Sequence, residues 1–413
     1  MDTANARFAK MNKRFWLLLA GILLGRLALH LYIRGQCHGF NFLLSPTEIM
    51  RTKYALSWAQ DPSVSPGNAV WWLPLQFYME GGLLRLWPDV LAVPFWFNSA
   101  FSLITLFLLF LLTRELSGSP EAGLAAALYA AWDSTGVLFG IGGTADPLMH
   151  AAMLGVLYSW LRQIRRPQSS LWPAAILLAI GNSTRFEVWF LSGAFTLYIL
   201  LRQKPKAWGP LALVWAFPVF WTFMSLRLAG NPLAFQNATA ASSAYAHPTP
   251  LAFLKNLANH IPSWIFILAL AAGSRAQRLS LEAWYLLAVG AIFLPLLLIS
   301  GQDMVYVDHH LWVFNLLLLP LAAGALISLS AGLGPRRRIL AWLILAAALI
   351  FVQWGRLQQL TRRFLASPRS EIAADFRQVR LWRQQQAISP QDCFLIVLPS
   401  GTRRAIAFYL LWE

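Results

Sequence analysis

Charge and cysteine are both scarce in this sequence. Only 12% of its 413 residues are Asp, Glu, Lys or Arg, against about 25% in an average soluble domain. Cys37 and Cys393 are the two cysteines, and neither belongs to a CxxC or a Cys/His cluster. The sequence therefore gives no basis for a zinc or iron–sulfur site built on thiolates. It leaves open whether the two cysteines form a disulfide or are unrelated free thiols.

Apolar residues dominate instead, at 58% of the chain, and they recur in runs close to the length of a bilayer span. This pattern predicts an all-α polytopic membrane protein. About eleven transmembrane helices are predicted, near residues 15–33, 91–113, 122–141, 147–161, 171–184, 187–201, 208–228, 260–273, 281–299, 311–330 and 339–354. The net charge of +16 does not indicate nucleic acid, because the basic residues lie between spans, where they set orientation.

The basic residues also predict which side each connection faces. Arg7, Lys10, Lys13 and Arg14 precede the first span, which predicts a cytoplasmic N-terminus and a retained first span. Connections predicted to lie outside, such as 142–146 and 300–310, contain no Lys or Arg. The span at 171–184 is short, and if it merely re-enters the membrane, every later side assignment reverses.

Two regions follow from this topology. Residues 1–354 form a transmembrane domain with a large first outer loop, 34–90, in which the spacing of apolar residues predicts amphipathic helices on the membrane. Residues 355–413 form a short, non-cytoplasmic C-terminal segment, predicted to contain one strand and one helix.

One short stretch of the first outer loop, "LLSPTEIMRTKYALSW", allows two interpretations. Ser45, Pro46 and Glu48 match a capping box with proline at the first helical position, which begins many soluble helices. A carboxylate just outside a membrane span also suits a catalytic base. The two roles are compatible.

Further polar residues are predicted at the outer ends of the spans. They are Asp146, Arg185, Glu187, Asp308, His309 and His310. Carboxylates, histidines and an arginine at a membrane surface suit chemistry on a lipid phosphate, with a base for an acceptor hydroxyl and cations for a leaving phosphate.

The order of these pieces resembles a known family over roughly residues 10–200. The pieces "TEIMRTKYALSWAQDP", "VWWLPLQFYMEGGLLRL", "LLTRELSGSPEAGLAAALYAAW" and "NSTRFEVWFL" are similar to the N-terminal half of GT-C membrane glycosyltransferases. The most similar members are the protein-mannosyltransferase and aminoarabinose-transferase-like enzymes, which use polyprenyl-phosphate sugars.

The resemblance implies a role for each matching residue. Glu48 corresponds to the catalytic carboxylate of the first outer loop, and Asp146 to a second acid in the next outer loop. Arg185 and Glu187 match an Arg–x–Glu element, with Arg185, His309 and His310 expected to contact the donor phosphate. Many members carry Arg-Tyr where this sequence has Asp308-His309-His310. Glu187, Asp308 and Arg51 are expected to support the site.

Simpler roles stand beside these. Asp146 precedes Pro147 and could cap a helix, Arg185 could pair with Glu187, and Arg51 could form a surface pair with Glu48. Asp133 is predicted to be a satisfied polar group inside the membrane.

The sequence and the resemblance together predict a glycosyltransferase with its active site on the non-cytoplasmic side, and the resemblance implies that it inverts the anomeric centre. The donor is a polyprenyl-phosphate sugar, and the acceptor is a hydroxyl of a lipid, a glycan or a protein. No cluster has metal-ligand spacing, so no metal site is predicted, although a divalent cation is left open. The rival functions are a transporter or lipid flippase, which needs polar groups across the membrane depth, and another lipid-dependent membrane transferase.

Overall fold

The computed structural model describes residues 13–36, 46–64, 72–202, 207–232 and 307–365, with isolated positions at 234, 285–286, 288–290 and 292. For 46–50, 307–311 and parts of 335–343 and 360–365, only the backbone is described. The predicted spans 260–273 and 281–299 fall mostly or entirely outside these ranges, as do most of the loop 229–259 and the predicted strand and helix of the tail.

Every regular element in the described residues is an α-helix, which confirms the predicted all-α fold class for that part of the chain. In chain order the helices are α1 (Lys13–Gln36), α2 (Pro46–Gln60), α3 (Leu75–Leu86), α4 (Ala92–Ser117), α5 (Pro120–Trp132), α6 (Ser134–Ile141), α7 (Asp146–Arg165), α8 (Trp172–Asn182), α9 (Glu187–Arg202), α10 (Trp208–Ala229), α11 (Val307–Ser330) and α12 (Pro335–Leu365).

Among the described residues, fewer helices are long and apolar enough to cross a bilayer than the eleven predicted for the whole chain. Within the described residues four meet both conditions: α1, α4, α10 and the part of α11 from Trp312 onward. The pair α5 and α6 makes a fifth, although it is bent by 67°. The number eleven is therefore not confirmed. Apolar side chains exposed on α1 and α10 suit contact with lipid.

The bend between α5 and α6 lies at Asp133, which the sequence predicted to be a satisfied polar group. The Asp133 carboxylate accepts a hydrogen bond from the Gly136 amide at 3.0 Å and so caps α6. On α1, Arg26 donates to the Ala131 carbonyl at 2.9 Å and to the Ser102 hydroxyl at 3.1 Å. These bonds satisfy backbone and side-chain groups at the break, so the prediction for Asp133 is confirmed.

The predicted short span corresponds to α8, which has only 11 residues and is about 16 Å long. That length is about half the hydrocarbon thickness of a bilayer. Nevertheless α8 packs along α7 in the opposite direction, because the residues just after α8 meet the start of α7. The chain therefore returns at Arg185 to the end of the bundle where α7 began.

The loop after α1, predicted to be the first outer loop, contains two helices, α2 and α3, that pack closely against each other. A Cβ at Gly81 would lie 2.6 Å from the Ala55 carbonyl oxygen, so only glycine permits this separation. Tyr54 on α2 packs against Trp72 and Phe77, with ring centroids 5.7 and 5.5 Å away. A helix therefore forms where an amphipathic helix was predicted, and its aromatic residue Tyr54 contacts α3 and the segment before it.

The last described helix, α12, continues past residue 354 to Leu365. The helix therefore extends about three turns into the segment predicted as an outer tail.

Candidate active site

Arg185 is placed by the turn that ends α8. The Ser183 and Thr184 hydroxyls donate to the Ile180 carbonyl at 2.8 Å each, and the Arg185 amide donates to the Gly181 carbonyl at 3.1 Å. These bonds satisfy the last carbonyl groups of α8. They leave the Arg185 side chain at the end of the bundle where α7 begins.

Arg185 bonds two carboxylates. Its Nη1 lies 3.1 Å from Oδ1 of Asp146, and its Nη2 lies 2.5 Å from Oε1 of Glu187. The Arg185 Nε also donates to Glu187, at 3.1 and 3.2 Å to the two oxygens. The predicted pairing of Arg185 with Glu187 is thus confirmed, and Asp146 belongs to the same ion-pair group.

Asp146 is not a helix cap, contrary to one of its two predicted roles. The cap position of α7 is Ala145, no side-chain capping bond is made there, and Asp146 lies in the first turn. Only 1% of the Asp146 surface is exposed, and an ionised carboxylate that is so deeply buried needs a cation beside it. The cation is Arg185, which lies 39 positions later in the sequence. Local sequence patterns do not predict contacts between residues so far apart.

Arg51 is buried, so its predicted role as a surface partner of Glu48 is wrong. Only 5% of the residue is exposed, and its guanidinium lies over the Trp72 ring at 4.7 Å from the centroid. Its Nη1 donates to Oε1 of Gln76 at 2.6 Å. Burial lowers the pKa of Arg51 to about 10, and repulsion from Arg185 adds to this, while Asp146, Glu80 and Glu187 oppose it. This guanidinium therefore belongs to the same electrostatic cluster as the Arg185 ion pairs.

Sequence reasoning missed two members of the cluster, Gln76 and Glu80. Both are fully buried on α3, and the Gln76 Nε2 donates to Oε1 of Glu80 at 2.9 Å. The same nitrogen lies 3.4 Å from the Gly143 carbonyl, which joins α3 to the loop before α7. Their spacing in the sequence could have indicated that they act together, because polar residues four positions apart lie on the same face of a helix.

Glu80 has an unusual environment for a carboxyl group. Burial raises the pKa of Glu80 to about 7, although its hydrogen bond from Gln76 and the charge of Arg51 lower it. Glu80 therefore changes charge close to neutral pH.

The backbone of the loop that contains α2 and α3 is hydrogen-bonded to this end of the bundle. The Leu75 amide donates to the Ser183 carbonyl at 3.1 Å, two residues before Arg185. Together with the bond from Gln76 to Gly143, this fixes α3 over both the α6–α7 loop and the α8–α9 turn.

Four predicted residues lie where only the backbone is described. Glu48 is in the first turn of α2, which begins at Pro46 as the capping-box pattern predicted. Asp308, His309 and His310 are at the start of α11. Two residues further on, Trp312 lines a small cavity together with Pro147 and His150 of α7, with room for about one water molecule. The start of α11 is thus close to the start of α7.

No group of three or more His, Cys, Asp or Glu side chains in the described part of the chain is arranged to hold a metal ion.

Comparison with known proteins identifies the fold. Residues 73–226 match a protein-family model described as dolichyl-phosphate-mannose-protein mannosyltransferase. The fold is similar to the crystal structure of ArnT from Cupriavidus metallidurans bound to undecaprenyl phosphate, with a TM-score of 0.51 and 14% identity. The apo structure of the same protein gives a TM-score of 0.52 and 13% identity. Both alignments cover 95% of this chain and 75% of the other. The chain has a GT-C fold.

The GT-C fold confirms the resemblance described from the sequence and makes this chain an integral membrane protein. No curated protein matches this chain at a significant level of sequence similarity.

Proposed function

We propose that this chain is a membrane glycosyltransferase that moves a sugar from a polyprenyl-phosphate donor to an acceptor hydroxyl on the non-cytoplasmic side. The observation that carries the proposal is the convergence of Arg51, Asp146, Arg185 and Glu187 at one end of a GT-C bundle. The family match to dolichyl-phosphate-mannose-dependent enzymes supports the donor class, as does the undecaprenyl phosphate bound to ArnT.

Two cations suit the phosphate of such a donor. An arginine presents several N–H donors to phosphate oxygens, and it stays charged at any physiological pH. Arg51 and Arg185 interact electrostatically across the cluster. An anionic group between them would relieve their mutual repulsion, which favours a phosphate there. His309 and His310, at the start of α11, are proposed as further phosphate contacts.

Two carboxylates are candidates for the base, and the contacts of Asp146 support a division of roles between them. Asp146 is bonded to Arg185, and a carboxylate stabilised by a cation is a weaker proton acceptor. We therefore assign Asp146 to holding Arg185 and Glu48 to taking the proton of the acceptor hydroxyl as its oxygen attacks the anomeric carbon. The bond from that carbon to the phosphate oxygen breaks, the lipid phosphate leaves, and a single displacement inverts the anomeric centre.

The proposal is tested with the purified full chain in detergent. A panel of polyprenyl-phosphate sugars is offered with candidate acceptors, with and without a chelator, and release of lipid phosphate is measured. We expect release with at least one lipid donor. Transfer from a soluble nucleotide sugar, with none from any lipid donor, would refute the mechanism. Loss of release in the chelator arm would show that a divalent cation takes part.

A further inference from the structure

Glu80 is a buried acid, and one of its two carboxyl oxygens has no hydrogen-bond partner among the described residues. Its Oε1 accepts the bond from Gln76, but its Oε2 has no hydrogen-bond partner among the described residues. A buried polar atom without a partner costs free energy, so a residue kept in this condition calls for an explanation. The carboxyl group is also inside a packed helix pair, where an apolar side chain would fit without this cost.

The Gln76 amide connects this acid to Arg51. Its oxygen accepts from the Arg51 guanidinium, and its nitrogen donates to Glu80. Only this orientation of the amide places a donor against an acceptor at both ends. The negative charge of Glu80 thus strengthens the hydrogen bond that it accepts from the Gln76 amide, and the oxygen of that amide in turn holds the Arg51 guanidinium.

The positively charged Arg51 guanidinium forms no direct ion pair with an acid in the described part of the chain. No described carboxylate lies within 4 Å of it, in contrast to Arg185 with its two carboxylates. The charged groups that act on Arg51 are Arg185 on the α8–α9 turn, Asp146 on α7, Glu187 on α9 and Glu80 on α3. Among them, Glu80 is the one linked to Arg51 by a single amide.

We propose that Glu80 is a positioning residue, which holds Arg51 through the Gln76 amide and whose charge sets how strongly Arg51 attracts the phosphate of the lipid. The inference rests on the proposed function, since it takes Arg51 as a phosphate ligand. Ionised Glu80 repels an anion at Arg51, so binding of the phosphate is coupled to uptake of a proton by Glu80. The raised pKa of this group places that coupling near neutral pH.

The product is affected more than the donor. A sugar-linked lipid phosphate is a diester with one negative charge, whereas the released lipid phosphate is a monoester that approaches two charges above about pH 6. Ionised Glu80 therefore repels the product more strongly than the donor and favours its release.

The test compares Glu80→Gln with Glu80→Leu in the full chain. Glutamine keeps the acceptor for Gln76 and removes the charge, whereas leucine removes both. The matched control is Glu115→Gln, because Glu115 is also buried but pairs with Arg165 on the helix pair α4 and α7, away from the cluster. Binding of undecaprenyl phosphate, without sugar, is measured from pH 5.5 to 8.5.

The affinity for undecaprenyl phosphate is compared with that of Glu80→Gln at each pH. For wild type and for Glu115→Gln, we expect this relative affinity to fall as the pH rises through about 7. At pH 8, Glu80→Gln should bind roughly fivefold more tightly than wild type, as expected if bound phosphate raises the pKa of Glu80 by about one unit. At pH 5.5 the two should bind alike. Glu80→Leu should bind severalfold more weakly than Glu80→Gln at every pH, because Gln76 loses its acceptor.

With a sugar donor, Glu80→Gln should show stronger product inhibition at pH 8 with little change in KM for the donor. Equal binding of undecaprenyl phosphate by wild type, Glu80→Gln and Glu80→Leu at all pH values would overturn the inference while leaving the proposed function standing. A wild-type chain that neither binds lipid phosphate nor releases it from any donor would overturn both.

Discussion

Arg185 Nη1 lies 3.1 Å from Oδ1 of Asp146, and this ion pair joins the first residue of α7 to the turn after α8. The same guanidinium holds Glu187 at the start of α9. One side chain therefore fixes the positions of three helix ends, which links the stability of this part of the bundle to the geometry of the proposed phosphate site.

The first prediction concerns that ion pair. Arg185→Gln leaves the buried Asp146 without its cation, so we expect the free energy of unfolding to fall by about 3 kcal/mol. Adding Asp146→Asn to Arg185→Gln should restore part of this loss, because the second change removes the uncompensated charge. Thermal unfolding in detergent measures both effects. Additive losses in the double variant would show that the two residues do not stabilise each other.

The second prediction separates the two roles of Glu48. A capping box accepts glutamine in place of glutamate, but a general base does not, because an amide has no useful basicity near neutral pH. Glu48→Gln should therefore keep its thermal stability while turnover falls by roughly two to four orders of magnitude. Ser45→Ala should instead cost about 1 kcal/mol of local helix stability and keep most activity. If Glu48→Gln stays fully active, Asp146 becomes the leading candidate for the base.

The third prediction uses the raised pKa of Glu80. Between pH 4.5 and about 7, the folded chain keeps a proton on Glu80 that the unfolded chain has lost. Its contribution to stability is therefore present in full below pH 4.5 and is lost as the pH rises through about 7. Melting temperatures of wild type should fall with pH across this window relative to those of Glu80→Gln. Parallel curves for the two proteins would show that Glu80 does not titrate there.

The fourth prediction concerns sidedness. Ser63 follows α2 and Gln168 follows α7, and both residues are exposed. The predicted topology places Ser63 on the non-cytoplasmic side of the membrane and Gln168 on the cytoplasmic side. In a chain with Cys37 and Cys393 replaced by alanine, Ser63→Cys should react with an impermeant thiol reagent in intact cells. Gln168→Cys should react only after the membrane is opened. The reverse pattern would place the proposed site on the cytoplasmic side.

Local patterns predicted the parts of this fold that depend on local physics. Apolar runs indicated α1, α4 and α10, the Ser-Pro-x-Glu pattern indicated a helix starting at Pro46, and Asp133 was expected to be satisfied within the membrane. The bend of 67° at Asp133 was not predicted, because an apolar run of constant composition does not show where a helix changes direction.

The site was predicted only where residues close in sequence interact. Arg185 and Glu187 are two positions apart, so their pairing could be expected. The contacts of Arg185 with Asp146 and of Arg51 with Gln76 depend on how α7, α8 and the first outer loop pack, which no local pattern specifies. Glu80 was not predicted, because its role depends on its link to Arg51 through the Gln76 amide.

The wide separation of these partners in sequence constrains how the protein can be made. A ribosome completes Arg26 on α1 long before it reaches the acidic neighbour of this residue, Asp133, so α1 enters the membrane with an uncompensated charge. In the described part of the chain, the ion pairs of Arg185 are complete only after Glu187 has been made. Chains truncated between residues 90 and 130 should therefore be retained by the insertion machinery or degraded, whereas chains that extend past α9 should persist in the membrane.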